Sequence, residues 1–201
     1  MLDIDRYQWP AALRKAIKGN RREAHSRYFQ LATIGTDGTP KNRTVVFRGF
    51  GESGDSPLAI TDTRSRKIVE LERTSTTELC WYFPVTREQF RIAGIVQLYD
   101  ASKDPKDLRQ HLWDKLSDAA KTQFYWPAPG TADTDRETEV SELSSSEART
   151  ISGSPPTSFA VMSIEPEQVD HLLLHNPQRR IMSHLSQGPS GTLWQAHNVN
   201  P

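Results

Sequence analysis

The feature of this sequence that most constrains its fold is a period-two alternation of side chains, interrupted by turn signals. Residues 27–35 alternate between two faces, as the residues of a β-strand do. Asp37 and Gly38 follow, a dipeptide that favours a tight hairpin turn. Residues 40–50 then return with many β-branched and aromatic side chains, which are enriched in strands. This part of the chain therefore predicts an antiparallel β-hairpin.

Further strands follow, with few helices between them. Helices are predicted at 9–18, at 65–73 and from Asp104 onward. The remaining strands are predicted at 58–61, 78–84, 89–99, 158–164, 169–175, 180–185 and 192–198. Repeated antiparallel hairpins without a regular strand–helix–strand order favour a barrel or a sandwich over a Rossmann sheet. We expect a mainly β fold of about eight strands with flanking helices.

The chain of 201 residues is expected to form a single domain, 1–201. At about 128–156 the composition turns to Ser, Thr, Pro, Gly and acidic residues, which is typical of a mobile surface loop. Six acids lie within 131–149 against two arginines. The 45 residues that follow this segment still alternate as strands do, and they need the earlier strands to complete a sheet. A second domain is therefore not expected.

The charge balance excludes some classes of partner. Lys and Arg number 25, and so do Asp and Glu, so the formal net charge is zero. A protein that coats nucleic acid normally carries a basic excess, so a bound anion should be small and met by a local cluster. No apolar run approaches the ~18 residues of a membrane span, and residues 1–18 lack a signal-peptide core. We expect a cytoplasmic protein without nucleic-acid or membrane partners.

Cysteine and histidine offer little chemistry in this sequence. The single cysteine, Cys80, excludes an intrachain disulfide and lies in the apolar run 79–83, which predicts a buried core thiol. His171 and His175 are four residues apart, but in a predicted strand that spacing does not form the helical pair of metal ligands. No metal site is predicted.

Two clusters of basic residues are the strongest functional signal, one within a predicted strand and one at a predicted helix start. They comprise Lys41, Arg43 and Arg48, and Arg64, Arg66 and Lys67. Ser65 is predicted to cap the helix, where unpaired N–H groups and the helix dipole attract anions. Such a site suits a small phosphate ester. A solvated basic helix start is the alternative interpretation.

The spacing of the strand arginines makes a specific demand. Arg43 and Arg48 are five positions apart, so in an ideal strand they point to opposite faces. They serve one ligand only if the strand bulges or if the ligand reaches around its end; otherwise they are two surface arginines. Gln89 opens the strand 89–99 with an amide that suits a flavin ring edge, or is an ordinary polar strand residue.

Taken in order, these segments resemble the pyridoxamine 5'-phosphate oxidase family. The runs that carry the resemblance are 40–48, 61–67, 83–84 with 89–94, and 194–201. Each motif is short, but four in the right order and spacing are hard to obtain by chance. The resemblance is strongest from about residue 9 to residue 99. The sequence most resembles a divergent branch of the family, the "pyridoxamine 5'-phosphate oxidase-like FMN-binding" proteins.

The resemblance implies an antiparallel split β-barrel of six to eight strands, with FMN bound at the interface of a homodimer. It also implies which residues meet the cofactor. The flavin phosphate and ribityl chain would be held by Arg43, Arg48, Ser65, Arg66 and Lys67. The flavin path would be lined by Val45, Val46, Ile60 and Thr61, and met from a neighbouring strand by Gln89.

The resemblance is weaker where the family binds its substrate. Family oxidases hold the substrate phosphate with a Tyr, an Arg and a Ser on and after the helix that follows the long strand, and here only Lys115 offers comparable charge. Near the C-terminus Arg180 matches the family, but Met182 stands where a His is expected and His184 where an Arg is expected. The candidate substrate-binding residues are therefore Arg48, Lys115 and Arg180, and no catalytic residue is assigned.

An FMN-dependent oxidoreductase acting on a small molecule is the leading hypothesis, with the flavin supplying the redox chemistry and the protein its position and electrostatics. Oxidation of pyridoxamine or pyridoxine phosphate is one option, which the departures near Lys115 and Met182 disfavour. A flavin-binding carrier or sensor without turnover is the alternative, with the acidic residues of 131–149 as a partner-binding element. A third interpretation is a small β-barrel that binds another phosphorylated ligand.

Overall fold

A single antiparallel sheet of eight strands organises the described part of the chain. The computed structural model describes residues 4–131, 153–188 and 191–201. The strands are β1 (Tyr28–Ile34), β2 (Pro40–Phe50), β3 (Pro57–Asp62), β4 (Thr76–Phe83), β5 (Glu88–Tyr99), β6 (Phe159–Leu173), β7 (Arg179–Gly188) and β8 (Gly191–Val199). Their order in the sheet is β3-β2-β1-β4-β5-β6-β7-β8.

The first six strands close into a barrel because β3 also pairs with β6. In this pairing Leu58 lies opposite Ser163, and Asp62 lies opposite Phe159. β7 pairs with the C-terminal half of β6, and β8 extends the sheet one strand further. The prediction of an antiparallel barrel of six to eight strands is therefore confirmed, as a closed six-stranded barrel with two additional strands.

The barrel interior is filled by the apolar side of the alternation that the sequence displays. On β1, Phe29 and Leu31 have no exposed surface, while Gln30 between them faces outward. Trp81 lies among Phe29, Phe47 and Phe83 at ring distances of 4.9–5.4 Å. Phe29, Trp81 and Phe83 are fully buried, and each contributes roughly 1.5–3 kcal/mol of hydrophobic stabilisation, whereas Phe47 is partly buried.

Besides the strands, the described residues form four α-helices: α1 (Trp9–Gly19), α2 (Arg66–Arg73), α3 (Leu108–Asp114) and α4 (Asp118–Thr122). Short 3₁₀ turns lie at Ile4–Arg6, Ala24–Arg27, Pro105–Asp107 and Gln123–Tyr125. The predicted first helix is confirmed, with Pro10 in its first turn, where a missing N–H has no cost. Its buried Trp9 and Leu13 join the barrel core. No described helix has the length and apolar character needed to cross a membrane.

A second apolar cluster fixes α3 against β6. Trp113 contacts Phe124 and Phe159 edge to face, at ring distances of 5.9 and 5.2 Å. The buried Arg109 donates to the carbonyl oxygens of Phe159 (3.0 Å) and Pro156 (2.7 Å), which satisfies its guanidinium without an acid. This packing holds α3, α4 and the turn after α4 beside the barrel wall.

Two sequence predictions need correction here. The strands predicted at 158–164 and 169–175 are one strand, β6, which continues through Pro166 because the register shifts opposite Ala93 and Gly94. Such an irregularity accommodates a proline inside a sheet. Cys80 is only partly buried because it lies on the outward side of β4, so the expectation of a core thiol was wrong.

The predicted acidic loop at about 128–156 can be followed only at its ends. Residues 128–131 form a turn, in which the Thr131 N–H and hydroxyl both bond to the Ala128 carbonyl oxygen. Residues 153–156 lead into β6, and residues 132–152 lie outside the described residues.

A basic cleft beside the barrel as the candidate functional site

A cleft of about 530 Å³ separates the barrel wall from the chain segment around α4. One wall is built from β2, β3 and the start of α2, and the other from residues between Ala120 and Pro129. Eight of the ten residues predicted to meet the cofactor line this cleft: Arg43, Val45, Val46, Arg48, Ile60, Thr61, Ser65 and Lys67. The fold thus brings together one part of each basic cluster, Arg43 and Arg48 from the first and Lys67 from the second.

A bulge in β2 lets Arg43 and Arg48 share the cleft. Phe47 pairs with Ala59 and Gly49 with Leu58, so Arg48 is an extra residue with no partner in β3. Gly49 has a φ of 131°, which favours glycine because it lacks a Cβ atom. A bulge of this kind redirects side chains locally. The strand distortion that the arginine spacing demands is therefore present.

Lys67 supplies a cation whose hydrogen bonds go to hydroxyl groups. Its Nζ atom lies 3.0 Å from both Thr61 Oγ1 and Ser65 Oγ, and both of these residues are buried. Burial, and then the nearby charge of Arg43, lowers the pKa of Lys67. No described carboxylate forms an ion pair with this ammonium. The local charge balance therefore favours an anion at this end of the cleft.

Arg48 is similarly short of negative charge. Its buried Nε–H has no hydrogen-bond partner among the described residues. Burial, and then the nearby Arg27, lowers the pKa of the Arg48 guanidinium. An unpaired buried donor of this kind costs about 1–3 kcal/mol. Arg48 also lines the cleft, so an anion bound there would lie beside its positive charge.

Arg43, by contrast, already has an acidic partner. Its Nη2 atom donates to Glu70 Oε2 at 2.7 Å, and its Nη1 atom donates to Thr33 Oγ1. The Thr33 hydroxyl donates to the same Glu70 oxygen at 2.6 Å. Burial alone would raise the pKa of Glu70, but these hydrogen bonds outweigh it and hold the value below its usual range. The charge of Arg43 is therefore largely neutralised.

Two further cations of the basic clusters are paired with acids that do not belong to those clusters. Lys41 Nζ contacts Asp37 Oδ2 at 3.0 Å, and Arg64 Nη2 contacts Asp62 Oδ2 at 2.6 Å. The two basic clusters in the sequence therefore overstate the positive charge of the folded site. The positive charge facing the cleft is concentrated at Lys67 and Arg48.

Ser65 occupies the N-cap position of α2 but does not cap it with its side chain. No side-chain hydrogen bond to the helix N–H groups forms, so that part of the prediction was wrong. Its hydroxyl instead donates to the Asp62 carbonyl oxygen at 2.8 Å. The residue still contributes to the site, because the same oxygen holds Lys67 Nζ in place.

Two of the predicted cofactor residues lie outside this cleft. Arg66 is exposed at the start of α2 and is not among the residues that line the cleft. Gln89 lies in β5 opposite Tyr82, whose side chain is 45% exposed. Since directly opposed residues share a face, Gln89 lies on the outer surface of the barrel.

The wall formed after α4 was not predicted from the sequence. Gln123, Phe124, Trp126, Pro127 and Pro129 line the cleft opposite the barrel. The local signal is the start of α4, where the Ser117 side chain accepts from the Ala120 N–H. This signal predicts the short helix but not its packing on the barrel, which depends on contacts with β6.

The three candidate substrate residues do not come together. Arg48 also lines a neighbouring cleft of about 310 Å³, and Lys115 lies across this second cleft from it. Lys115 Nζ is 2.7 Å from His111 Nε2. Arg180 lines neither cleft; it forms a bidentate ion pair with Asp170, at 3.0 and 2.8 Å.

The donors of the basic cleft match the chemistry of a phosphate monoester. Lys67 provides an ammonium, Arg48 an unpaired guanidinium N–H, and Thr61 and Ser65 provide hydroxyls that already hold the ammonium. Val45 and Ile60 add apolar surface for a larger group attached to the phosphate. A phosphorylated cofactor with a planar apolar ring system fits this combination.

Known proteins resemble the chain in both sequence and fold. A family model for the pyridoxamine 5'-phosphate oxidase, FMN-binding domain matches residues 6–100. A pyridoxine/pyridoxamine 5'-phosphate oxidase 2 of Arabidopsis thaliana is 40% identical over 197 residues, which is 96% of each chain.

Solved structures extend the comparison to the whole fold. A pyridoxamine 5'-phosphate oxidase-related, FMN-binding protein of Nostoc punctiforme is 39% identical, with a TM-score of 0.84 over 97% of this chain and 98% of that one. PhzG of Burkholderia lata shares the fold alone, at 21% identity and a TM-score of 0.75 over 96% of this chain and 89% of that one. The chain therefore belongs to the pyridoxamine 5'-phosphate oxidase family of FMN-binding proteins.

Proposed function

We propose that this chain is an FMN-dependent oxidoreductase that holds the flavin phosphate in the basic cleft and a small anionic substrate in the neighbouring cleft. The observation that carries the proposal is that Arg48 lines both clefts. A substrate in the smaller cleft would therefore lie directly beside the cofactor. Such proximity is the first requirement for transfer between two bound molecules.

The cofactor phosphate is proposed to bind at Lys67, with Thr61 and Arg48 as further donors; the Ser65 hydroxyl, which donates to the Asp62 carbonyl oxygen, holds the Lys67 ammonium in place. Each charge-assisted hydrogen bond contributes roughly 1.5–3 kcal/mol, so three or four hold a phosphate ester without a net positive charge on the protein. Arg43 acts from behind this group, since its pairing with Glu70 fixes its position. FMN, when bound, supplies the two-electron redox chemistry.

The neighbouring cleft has the lining that an anionic substrate requires. Arg27, Arg48 and Lys115 supply positive charge, and Phe47 and Leu112 supply apolar surface. The further lining residues, Gly49 and Leu116, carry no acid. His111 accepts a hydrogen bond from Lys115 and thereby orients the ammonium.

Pyridoxamine and pyridoxine 5'-phosphate are the first substrates to test. Each combines a phosphate with a flat ring, and relatives of this chain from Arabidopsis thaliana and Sinorhizobium fredii carry the name pyridoxine/pyridoxamine 5'-phosphate oxidase. The lining of the smaller cleft suits such a molecule, with the phosphate placed between Lys115 and Arg48.

A second copy of the chain is proposed to complete the cofactor site. Gln89 lies on the outer barrel surface, near the exposed Tyr82 and Tyr28. In a homodimer that buries this surface, Gln89 would reach the flavin of the partner subunit. Sedimentation of the FMN-loaded protein tests this, because a monomer that retains FMN would contradict it.

Turnover of the two phosphates by purified protein is the test of the proposed function. Flavin absorption bands near ~375 and ~450 nm are expected first. Arg48→Met and Lys115→Met should each lower kcat/KM by about tenfold or more. The Lys115→Met variant should retain its FMN absorption. Lys15→Met, at an exposed lysine of α1, is the matched control. A yellow protein that turns over neither phosphate would favour a flavin carrier or sensor.

A further inference from the structure

A separate cleft of about 480 Å³ lies between the 51–56 loop, the end of β5 and the opposite side of α3. Its size is within the range of small-molecule sites. None of its lining residues belongs to the basic cleft or to the neighbouring substrate cleft. Its chemistry is also different, because its lining includes two carboxylates, Glu52 and Glu165, and no Lys or Arg.

The centre of this cleft is a carboxylate with a fixed orientation. Ser56 Oγ donates to Glu165 Oε2 at 2.5 Å, and Ser163 Oγ donates to Glu165 Oε1 at 2.7 Å. Both serines are buried, with 2% and 3% exposure. Each carboxylate oxygen therefore has one lone pair engaged and another available as an acceptor.

The charge of Glu165 is not neutralised within the described part of the chain. No described side chain forms an ion pair with it, and its hydrogen bonds come from neutral hydroxyls. Burial, and then the Glu165 carboxylate, raises the pKa of the Tyr99 phenol, which lines the same cleft. The negative charge is therefore felt across the cleft.

The remaining lining offers an apolar surface and no Lys or Arg; Arg14 and Lys103 lie over the Phe50 and Tyr99 rings, 4.8 and 5.5 Å from the ring centroids. Phe50, Leu58 and Leu108 contribute hydrocarbon, and Glu52 adds a second acid. His111 lines the rim, and its Nε2 atom lies 2.7 Å from Lys115 Nζ. A fixed carboxylate above an apolar floor is complementary to an organic cation with a compact apolar body.

We propose that this cleft binds a small organic cation, an amidine, guanidine or amine carried on a compact apolar group, with the Glu165 carboxylate as its counter-ion. The two oxygens of Glu165, each oriented by its own serine, match the paired N–H groups of an amidinium best. The proposal is independent of FMN binding and of turnover, because the two sites share no lining residue.

Titration calorimetry with three probes of one shape tests this proposal on the full-length, FMN-loaded protein. Benzamidine carries the amidinium, benzamide is its neutral counterpart and benzoate reverses the charge. Benzamidine is expected to bind at least about tenfold more tightly than benzamide, which corresponds to one charge-assisted contact. Benzoate is expected not to bind. Equal affinity for benzamidine and benzamide, or no binding of benzamidine, would overturn the proposal.

Two variants locate the binding, and one is a matched control. Glu165→Gln keeps the side-chain volume and should weaken benzamidine at least about tenfold. Glu167→Gln, at an exposed glutamate two residues along the same strand, should leave it unchanged. Ser53→Arg, at an exposed position of the cleft rim, should also exclude benzamidine because it places a guanidinium at the carboxylate.

The variants also distinguish loss of the benzamidine site from loss of the folded structure. Ser53 is exposed, so its substitution should leave thermal unfolding and FMN absorption unchanged even if Glu165→Gln proves unstable. Benzamidine binding that survives Ser53→Arg, or that falls equally in Glu167→Gln and Glu165→Gln, would show that the probe binds elsewhere and would overturn the assignment.

Discussion

The basic cleft and the Glu165 cleft are close in volume, about 530 and 480 Å³, yet opposite in charge. In the basic cleft, Lys67 and Arg48 face the cavity, Glu70 pairs with Arg43, and the lining acid Asp62 pairs with Arg64. In the other cleft, Glu165 faces the cavity and is held by hydroxyls alone. Size and shape therefore do not decide what each cleft accepts.

The difference shows how a chain of zero net charge builds two selective sites. With 25 basic and 25 acidic residues, an overall field favours neither sign. Selectivity arises where a partly buried charge is held by buried hydroxyl groups and has no ion-pair partner among the described residues. Interactions of this kind act over short distances and are poorly screened by salt.

The largest expected effect comes from breaking the backbone that positions Glu165. A Cβ atom at Gly94 would lie 2.0 Å from the Glu165 carbonyl oxygen and 3.1 Å from Pro166 Cα, so Gly94→Ala forces the β5–β6 pairing apart. We expect a loss of at least ~3 kcal/mol in the free energy of unfolding, measured in urea.

Gly51→Ala is the matched control for this loss. A Cβ atom there meets its nearest neighbour at 3.5 Å, an ordinary contact, so the change should be below ~1 kcal/mol. Equal stability of the two variants would show that the strand pairing near Glu165 tolerates a side chain, and the register shift would lose its structural role.

The next largest effect concerns the cation that faces the basic cleft. Lys67→Met removes the ammonium while keeping most of the apolar stem, and should weaken FMN by about 2–3 kcal/mol, or roughly 30- to 150-fold. Arg66→Ala should change FMN affinity by less than about threefold, since Arg66 is exposed and lines no part of the cleft. Fluorescence titration of the apoprotein with FMN measures both.

This pair of variants tests the structure against the sequence pattern, in which Arg66 and Lys67 are adjacent and equivalent. If Arg66→Ala weakens FMN as much as Lys67→Met, the phosphate binds at the exposed helix start and not on the cleft floor. The basic cleft would then not be the phosphate site, and the contrast in ligand charge between the two clefts would no longer hold.

A smaller effect is expected from the acid hidden behind the basic cleft. Glu70→Gln leaves Arg43 without its counter-ion, which should lower the free energy of unfolding by about 2 kcal/mol, less than for a fully buried pair because Arg43 is partly exposed. FMN affinity should not fall, because a negative charge near the phosphate is removed. Glu72→Gln, exposed on the same helix, is the control.

The pH dependence of this variant has a definite sign. The pKa of Glu70 is depressed in the folded protein, so its contribution is present above its unfolded pKa and is lost as pH falls through the folded value. The stability gap between wild type and Glu70→Gln should therefore close in acid. A gap that widens in acid would contradict the pairing with Arg43.

How far the sequence predicts these sites depends on the range of the interactions. The alternation around Phe29 is a local signal and predicts the barrel strands, whereas the spacing of Arg43 and Arg48 makes a bulge one of two ways in which both could serve one ligand. The serine pair on Glu165 includes Ser56, which is 109 residues away in sequence. No local pattern predicts such a contact.

The same distinction accounts for what the sequence missed at the basic cleft. Glu70 follows the second basic cluster in sequence but pairs with Arg43 of the first cluster. This pairing forms only when α2 packs beside β1 and β2. Trp126 and Pro129 reach the cleft because Trp113 packs on Phe159, a contact between distant parts of the chain. Arg66 and Lys67 are adjacent in sequence, and only the helix geometry separates their environments.

The smallest expected effect is a change in protonation when the basic cleft fills. Burial and Arg43 depress the pKa of Lys67, so in the apoprotein its charged form is disfavoured and stability from this group rises as pH increases through the folded pKa. A bound phosphate dianion should raise that pKa again. FMN binding in mildly alkaline solution should therefore take up a fraction of a proton, seen as a dependence of the binding heat on buffer ionisation enthalpy. Lys67→Met should abolish the uptake, whereas Glu165→Gln should preserve it, because the Glu165 cleft shares no lining residue with the basic one. Proton uptake that persists in Lys67→Met would assign the titrating group to the ligand itself and leave the buried ammonium without its proposed role.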